Sequence, residues 1–389
     1  WTPDDRRVAF VHRGGEVRVL DVTTGEVTGV AMAVPDDLAM YLWDAAPDNK
    51  HVVIQTYYPV EGGGRGPTYI GSLETGATLV LTDLPVVAAE FAPGPPPPPP
   101  SPPAPTSDPP GTVRLAGPSR IETAIAASVN QWADGSAELV VLATSENFAD
   151  AQTAAPLAAN RGPLLLTGRD GLHPTTAQEI GRVLKPSGTV YLVGGTAALS
   201  AQVEADVGAL GWPTIRLAGS NRGETSVEIA RHLTNEPAQI WLVDGGTFPP
   251  GILAGAAAGR SGGVVVSGLS GADYAEDHLN AELIQVGPPP QGGSRIPARV
   301  FDETDPSKLS LSIAEAFTPD AHRAAIAQSL QFPDGLAGAA WAATEGLPIL
   351  LTPPDELPAD LDEWLRGRAL AVFGGPSAIG YGVTNGAAD

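Results

Sequence analysis

Four arginines occupy matching positions in two copies of one segment of the chain. The segment VRLAGPSRIETAIAAS (113–128) returns as IRLAGSNRGETSVEIA (215–230), with its two arginines, its glycine and its Glu-Thr pair at the same spacing. A guanidinium is a planar fork of donors that can hold a phosphate or carboxylate through two hydrogen bonds. The pattern therefore indicates a site for anionic groups, and the candidate residues are Arg114, Arg120, Arg216 and Arg222.

The same segments have a purely structural interpretation, which we favour. A glycine relieves a tight turn from strand to helix, a glutamate is favourable at a helix start, and an arginine can pair with a glutamate of its own or of a neighbouring copy. On this interpretation the arginines join modules rather than bind a ligand. The structural positions of the motif are Gly117, Glu122, Thr123, Gly219, Glu224 and Thr225.

The strands and helices that position these residues are predicted from the apolar pattern of the chain after the first copy of the segment. ELVVLAT (138–144), PLLLT (163–167) and TVYLVGG (189–195) have strand length and no polar alternation. Helices are predicted between and after them at 150–160, 175–185 and 200–211, the first short or kinked because of Pro156. Fully apolar strands separated by helices predict an α/β fold, with a parallel sheet covered on both faces.

This unit occurs three times. The segments 239–267 and 322–352 align with 138–167, so that Phe148, Phe248 and Phe332 share one position in a loop that opens a helix. The glycine pair that follows a strand occurs as Gly194 with Gly195 and as Gly374 with Gly375. The PLLLT and PILLT runs are predicted core strands, but α/β sheets place their crevices at strand ends. Two further candidates for ligand binding are therefore Thr167 and Thr352.

The chain before these repeats has a different pattern. Short β-branched strands lie between Thr-Gly turns, and the units that begin at Trp1 and Trp43 resemble each other. This segment resembles about two blades of a Tol-type or WD-type β-propeller. A proline-dense run follows and is predicted to be a semi-rigid spacer. The predicted domains are a partial propeller (1–92), a Pro-rich linker (93–111), and three repeats (112–213, 214–295 and 296–389).

Composition narrows the possible functions. The 389 residues include 44 acidic and 22 basic side chains, a net charge of −22, which argues against attraction to nucleic acid or to an anionic membrane surface. There is no cysteine, and no apolar run is long enough to span a bilayer. The sequence contains no phosphate-binding loop, no G-x-S-x-G and no H-E-x-x-H. We therefore predict no catalytic residues, no cofactor and no metal.

The ordered motifs resemble a known family, the second type of cell-wall-binding repeat. They are R-x-x-G-x-x-R-x-E-T, NFADA or FPDG, PLLLT or PILLT, and YLVGG, and the resemblance covers residue 112 to about residue 385. It implies three tandem Rossmann-like modules in a pseudo-threefold arrangement. It also implies non-covalent attachment to the envelope of Gram-positive bacteria, in characterised members through anionic secondary polymers.

The copies are not equivalent. In the third copy the positions of Arg, Gly, Arg and Glu hold Val300, Glu303, Pro306 and Lys308. The second copy has VVVS in place of LLLT, and a single Gly287 where the glycine pair should stand. Three equivalent binding sites are therefore not expected, and a polymer site is predicted around the first copy or at a junction.

The sequence thus predicts a non-catalytic, extracellular module that attaches a secreted protein to the cell wall. Its predicted partner is a cell-wall polymer or peptidoglycan, with other surface proteins as further partners, and any export signal is expected outside this sequence. Two alternatives stay open. In one, the repeats anchor a larger propeller-containing hydrolase or peptidase; in the other, they form a protein-interaction or self-assembly surface without affinity for glycans.

Overall fold

The computed structural model of the chain divides into two compact units, Trp1–Pro102 and Pro103–Asp389. It describes residues 107–290 and 292–387 and, in the first unit, seven strands. The Pro-rich linker predicted at 93–111 therefore lies, up to residue 106, outside the described residues.

The strands of the first unit form two antiparallel sheets. They are β1 (Arg7–His12), β2 (Glu16–Asp21), β3 (Val27–Ala31), β4 (Ala39–Ala45), β5 (His51–Tyr57), β6 (Arg65–Ser72) and β7 (Thr78–Thr82). Their order is β1-β2-β3 in one sheet and β4-β5-β6-β7 in the other, so neighbours in the sheet are neighbours in the chain. Four antiparallel strands are the size of one propeller blade. The propeller itself stays a prediction.

The first repeat alternates strands and helices. Its elements are β8 (Val113–Leu115), α1 (Arg120–Gln131), β9 (Ala137–Thr144), α2 (Ala155–Ala158), β10 (Leu164–Thr167), α3 (Pro174–Val183), β11 (Leu184–Val193) and α4 (Ala201–Ala209). Helix α2 is a single turn with Pro156 at its start, preceded by a 3₁₀ turn at Ala151–Thr153. Helix α3 ends at Val183, before the predicted end at 185, since Pro186 disfavours a helical conformation of the residue before it.

The third repeat reproduces this order, and the second reproduces it as far as its fourth strand. The second consists of β12 (Thr214–Leu217), α5 (Arg222–Leu233), β13 (Gln239–Val243), α6 (Phe248–Ser261), β14 (Val264–Ser267), α7 (Gly268–Asp277) and β15 (Glu282–Val286). The third consists of β16 (Arg299–Phe301), α8 (Pro306–Phe317), β17 (Arg323–Gln328), α9 (Pro333–Glu345), β18 (Ile349–Thr352), α10 (Ala359–Leu365), β19 (Ala369–Phe373) and α11 (Tyr381–Gly386). The loss of sequence motifs has not changed the four-strand pattern, but the second repeat, which lacks the glycine pair, also lacks, among its described residues, the helix that follows the pair in the other two repeats.

Three four-stranded parallel sheets result, and the predicted α/β fold is confirmed. Their orders are β10-β9-β11-β12, β14-β13-β15-β16 and β18-β17-β19-β8. The short first strand of each repeat therefore pairs with the sheet of another repeat. Strand β12 extends the first sheet and β16 the second, while β8 pairs with β19 of the third repeat and closes a ring. The predicted domain boundaries follow the sequence repeats, at 112–213, 214–295 and 296–389. The sheets do not follow these boundaries, because each sheet takes three strands from one repeat and one strand from another.

Each sheet is buried on both faces, which explains its continuous apolar strands. In β9, Val141 and Ala143 belong to a central core shared by all three repeats, whereas Val140 and Leu142 belong to an outer core of the first repeat alone. The second and third repeats have corresponding outer cores. Because successive side chains of a strand point to opposite faces, a strand between two cores must be apolar at every position.

The central core narrows to an axis where small residues of three helical segments meet. A Cβ atom on Gly259 of α6 would lie 2.7 Å from the Cβ of Ala343 and 3.1 Å from the Cβ of Ala159. The aligned repeats place Ala159, Gly259 and Ala343 at one equivalent position. Equivalent residues can meet in this way only around a common axis, so the three repeats have the pseudo-threefold arrangement that the resemblance implies.

Candidate functional site

The motif arginines lie at the junctions between repeats. We name each junction by the two repeats it joins. At the 3–1 junction, β8 and the start of α1 meet the third repeat. At the 1–2 junction, β12 and the start of α5 meet the first repeat, and at the 2–3 junction, β16 and the start of α8 meet the second repeat.

The glycine and glutamate of the motif build the turn from strand to helix. A Cβ on Gly117 would lie 2.2 Å from the Cβ of Glu122, so only glycine fits there. Ser119 caps α1 by accepting a hydrogen bond from the backbone N of Ile121 at 3.1 Å. Its hydroxyl donates to the Glu122 carboxylate, which lowers the pKa of Glu122. The hydroxyl of Thr123 accepts from the backbone N of Gly117 at 3.4 Å.

The second copy repeats this construction with different capping atoms. A Cβ on Gly219 would lie 2.2 Å from the Cβ of Glu224. Asn221 accepts from the backbone N of Glu224 at 3.0 Å, and the Glu224 carboxylate accepts from the hydroxyl and the backbone N of Ser220. These hydrogen bonds lower the pKa of Glu224, the hydroxyl of Ser220 most of all. Thr225 accepts from the backbone N of Gly219 at 3.1 Å.

The first arginine of each motif is bound within the protein. Arg114 donates to both carboxylate oxygens of Asp108 at 2.7 Å, and to the backbone oxygens of Gly374 and Ile379 at 2.9 Å. These bonds tie the segment before β8 to the third repeat. Arg216 donates twice to one carboxylate oxygen of Glu204, at 3.0 and 3.2 Å, and once to the backbone oxygen of Gly194 at 2.9 Å. Both guanidiniums are already paired with carboxylates.

The second arginine of each motif is more open. Arg120 and Arg222 are exposed. Each donates one hydrogen bond to a backbone oxygen, Arg120 to Ser145 at 2.8 Å and Arg222 to Gly245 at 2.6 Å. Among the described residues neither has a carboxylate partner. The remaining N–H donors of each fork can therefore take an anionic group.

The loop phenylalanines meet in a cluster that these arginines flank. The ring centroids of Phe148, Phe248 and Phe332 lie 5.7 to 6.4 Å apart, and all three rings are half-buried. The guanidinium of Arg120 lies 5.8 Å from the ring centre of Phe332, and that of Arg222 lies 5.9 Å from Phe148. We name these three rings and two arginines the aromatic platform. It combines an apolar surface with two cations at its edge.

An acidic residue two positions after the phenylalanine completes the 3–1 and 1–2 junctions. Gly374 (φ +108°) has no room for a side chain, since its Cβ would lie 2.6 Å from the Asp334 carboxylate. Gly194 (φ +100°) lies against Asp150 at the same distance. Burial raises the pKa of Asp334, although the Thr123 hydroxyl and the charge of Arg120 lower it in part. The adjoining Gly195 and Gly375 contact nothing that would exclude a side chain.

The 2–3 junction lacks this charged arrangement. Pro306 begins α8 where the other copies have arginine, and Pro250 replaces the acidic residue and would contact a Cβ on Gly287 at 2.9 Å. Val300 replaces the first arginine, and Gln285 instead donates to the backbone oxygen of Gly287 at 3.1 Å. The acid and the arginine are thus both absent from this junction.

The two strand-end threonines lie in the interior. Thr167 and Thr352 are fully buried. The hydroxyl of Thr167 donates to the backbone oxygen of Gly171 at 3.2 Å, and that of Thr352 donates to the backbone oxygen of Glu356 at 2.8 Å. Each hydroxyl holds the loop that follows its strand. Neither residue offers a surface that a polymer could contact, which corrects the prediction made from their position at strand ends.

Sequence reasoning did not identify the cluster of phenylalanines or the partner of Arg114. The alignment of repeats placed Phe148, Phe248 and Phe332 at one position, and a threefold arrangement brings equivalent inward-facing side chains together. Asp108 lies in the segment interpreted as a linker, where no pattern marks it as a partner of β8.

The comparisons with known proteins agree with this architecture. The model of the family Cell wall binding domain 2 (CWB2) matches residues 114–204 and 304–384. The structures of Cwp6 and Cwp8 from Clostridium difficile superpose with TM-scores of 0.65 and 0.64, at 18% and 16% identity. Each superposition covers 98% of this chain, and 63% of Cwp6 or 79% of Cwp8. At such identity the likeness concerns the fold alone.

Two curated relatives come from Bacillus subtilis (strain 168). The protein named amidase enhancer is 26% identical over 291 residues, which are 72% of this chain and 40% of that protein. The N-acetylmuramoyl-L-alanine amidase LytC is 34% identical over 119 residues, 30% of this chain and 23% of that protein. The chain thus spans well under half of either relative. The model of the cell wall binding domain 2 family thus matches two of the three α/β modules of this chain, the first and the third.

Proposed function

We propose that this chain is a non-catalytic anchor, which holds a secreted protein on the cell wall through non-covalent contacts of its three repeats. Cell wall binding is the activity that the family name states, and it supports an association with the wall and the cell surface. No helix in the described part of the chain has both the length and the apolar character of a membrane span. Beyond this association, we propose the kind of polymer, its binding site and the extracellular location.

The aromatic platform is the observation that carries the proposed site. Half-buried aromatic rings offer an apolar surface against which the C–H face of a sugar ring can pack. The forks of Arg120 and Arg222 stand at its edge with donors to spare, and they suit a phosphate or carboxylate. The four arginines named from the sequence thus divide into Arg114 and Arg216, which join modules, and Arg120 and Arg222, which we assign to the ligand.

An anionic polymer must approach a protein with a net charge of −22. Electrostatic repulsion at long range is screened within about 8 Å at physiological ionic strength, so the local guanidinium groups dominate once contact is made. We therefore propose an anionic secondary polymer of the wall as the ligand, with peptidoglycan as the second choice.

Sedimentation of the protein with purified Gram-positive walls tests this proposal. We expect the chain to sediment with intact walls and to remain in solution after hydrofluoric acid has removed phosphodiester-linked polymers. Binding that survives this treatment would assign the ligand to peptidoglycan. Failure to sediment with either wall would refute the anchoring proposal in favour of a protein-interaction surface.

A second candidate is that the chain is the anchoring part of a larger wall hydrolase. Relatives that carry similar repeats include an amidase and an amidase enhancer, and both are longer than this chain. The test is to add the purified chain to an amidase assay on isolated walls. A rate that rises only when the amidase and the chain bind the same walls would support this role.

A further inference from the structure

A crevice of about 340 Å³ opens in the first repeat, where the strands of its sheet end. The chain leaves β9 toward β10 on one side and leaves β11 toward β12 on the other, so the loops after β9 and β11 diverge. Open α/β sheets bind their ligands at such a switch in strand order. The volume lies within the range of small-molecule sites. The polar residues in its wall are Thr144, Glu146, Asn147, Asp150 and Arg169.

This wall carries charges of both signs that do not pair with each other. The guanidinium of Arg169 is 52% exposed, and among the described residues its ion-pair contact is with the neighbouring Asp170, at 3.9 Å. Glu146 accepts from the backbone N of Arg169 at 3.2 Å through one carboxylate oxygen, so its other oxygen stays free. The crevice thus keeps a guanidinium apart from two carboxylates, those of Glu146 and Asp150, and leaves room for a ligand between them.

Two further groups in the wall have unused hydrogen-bonding capacity. Asp150 is half-buried against Gly194, and its carboxylate does not cap the turn that follows it. A half-buried carboxylate has lost part of its hydration, which a cationic donor can replace. The side-chain oxygen of Asn147 accepts from the backbone N of Ala149 at 2.9 Å, and this leaves the amide N–H groups of Asn147 free to donate.

The other repeats do not share this combination of charges. At the position of Glu146 they have Gly246 and Leu330, and at the position of Arg169 they have Leu269 and Pro354. The mixed-charge wall is therefore a property of the first repeat alone. The crevice is also separate from the aromatic platform, because Asn147 and Ala149 line it whereas Phe148 between them packs on the other two rings.

We propose that this crevice binds an α-amino acid group, which carries an ammonium and a carboxylate on one carbon atom. The ammonium lies between the carboxylates of Glu146 and Asp150, and the carboxylate accepts two hydrogen bonds from the fork of Arg169. A metal ion is a poorer fit, because a guanidinium shares the wall and the described residues contain no group of three metal ligands.

Such a group has two sources. It occurs in free amino acids, and it occurs at the unlinked end of a diamino acid in the stem peptide of peptidoglycan. The second source rests on the proposed wall-binding function, whereas the chemistry of the ligand does not.

Calorimetric titration of the whole chain with small ligands tests this inference. The probe is meso-diaminopimelate, which carries the group at both ends. Its N-acetylated form lacks the ammonium, its amidated form lacks the carboxylate, and a tetramer of N-acetylglucosamine is a neutral sugar. We expect the probe to bind about tenfold or more tightly than either modified form, because each form loses one of the two charge contacts. Equal binding of a modified form, tighter binding of the sugar, or no binding of the probe would overturn the proposal.

A stem tripeptide that ends in diaminopimelate distinguishes the two sources, since it keeps one free α-amino acid group. Binding of both the tripeptide and the free probe would assign the crevice to the wall peptide. Binding of the free probe alone would assign it to a free amino acid. Because these titrations use no walls, their failure is distinct from a failure to sediment with walls.

Variants locate the binding. Arg169→Gln should weaken binding of the probe about tenfold, and Glu146→Gln, which keeps an acceptor for the backbone N of Arg169, about threefold. Both side chains are exposed, so folding should not change. The control is Glu363→Gln with Arg366→Gln, an exposed acid and an exposed arginine of the third repeat, which should bind the probe like the natural chain. Unchanged binding by the Arg169→Gln variant would refute the site.

Discussion

The 3–1 and 1–2 junctions close with charged side chains, whereas the 2–3 junction closes with prolines. In each charged junction an arginine lies over a phenylalanine ring, and an acidic residue stands two positions after that phenylalanine. At the 3–1 junction these residues are Arg120, Phe332 and Asp334. The 2–3 junction has Pro306 and Pro250 in these places and still forms the same parallel strand pair. The 2–3 junction thus closes without charge at these positions, and this supports our proposal that Arg120 and Arg222 serve a ligand.

We expect the largest effect on stability at the axis where the three repeats meet. Gly259→Leu would force a side chain into Ala159 and Ala343, and we expect a loss of about 3 kcal/mol or more in the free energy of unfolding. Urea unfolding of the repeat region measures it. The control is Gly181→Ala in α3, where a Cβ meets nothing within 4 Å, and a gain of about 0.5–1 kcal/mol is expected. Equal effects of the two changes would contradict the close approach at the axis.

The second largest effect on stability is expected for an arginine that joins two modules. Arg114→Met would leave the carboxylate of Asp108, 16% exposed, without its bidentate partner, and should cost about 2–4 kcal/mol. The same unfolding measurement applies. Adding Asp108→Asn should restore part of the loss, because the unpaired charge is then removed. A single variant as stable as the natural chain would show that β8 closes the ring without this pair.

Acid should weaken the Asp108 contact. Arg114 lowers the pKa of Asp108 below its usual 3.8, so this pair contributes stability above that pH. The contribution is lost as the pH falls through the lowered pKa of the folded state. The Asp108→Asn variant should therefore lose less stability than the natural chain below about pH 4, as unfolding curves at successive pH values would show. Parallel loss in both proteins would contradict the assignment.

Asp334 should behave in the opposite way. Burial raises its pKa, so its ionised form opposes folding at neutral pH and this cost disappears as the pH falls below the usual pKa of 3.8. Asp334→Asn keeps an acceptor for Thr123 and should raise the free energy of unfolding at pH 7 by up to about 1 kcal/mol, but not at pH 3. A loss at pH 7 would mean that the carboxylate is needed for the junction, unlike Pro250 in the 2–3 junction.

The smallest effect on stability is expected at the platform arginines. Arg120→Gln and Arg222→Gln each remove one hydrogen bond and one exposed cation–π contact, which together contribute about 1 kcal/mol or less. Thermal unfolding should therefore hardly change. A loss as large as that of Arg114→Met would show that these arginines join modules too.

Sequence reasoning predicted the local elements well and the long-range contacts poorly. The run ELVVLAT lacks polar alternation because it lies between two cores, and this physical cause made β9 and its parallel sheet predictable. The pairing of β8 with β19 joins residues more than 250 positions apart, and no local pattern encodes it. Thr167 and Thr352 stand at strand ends as predicted, but the loops after them fold back and bury both hydroxyls.

The most direct test of the account compares wall affinity among charge-reversed variants. Arg120→Glu with Arg222→Glu reverses both cations of the platform, and Arg366→Glu reverses an exposed arginine at the end of α10 as the control. The account predicts that the platform variant stays folded and loses sedimentation with intact walls, while the control sediments like the natural chain. A folded platform variant that sediments as well as the control would contradict the assignment of the aromatic platform to the wall polymer.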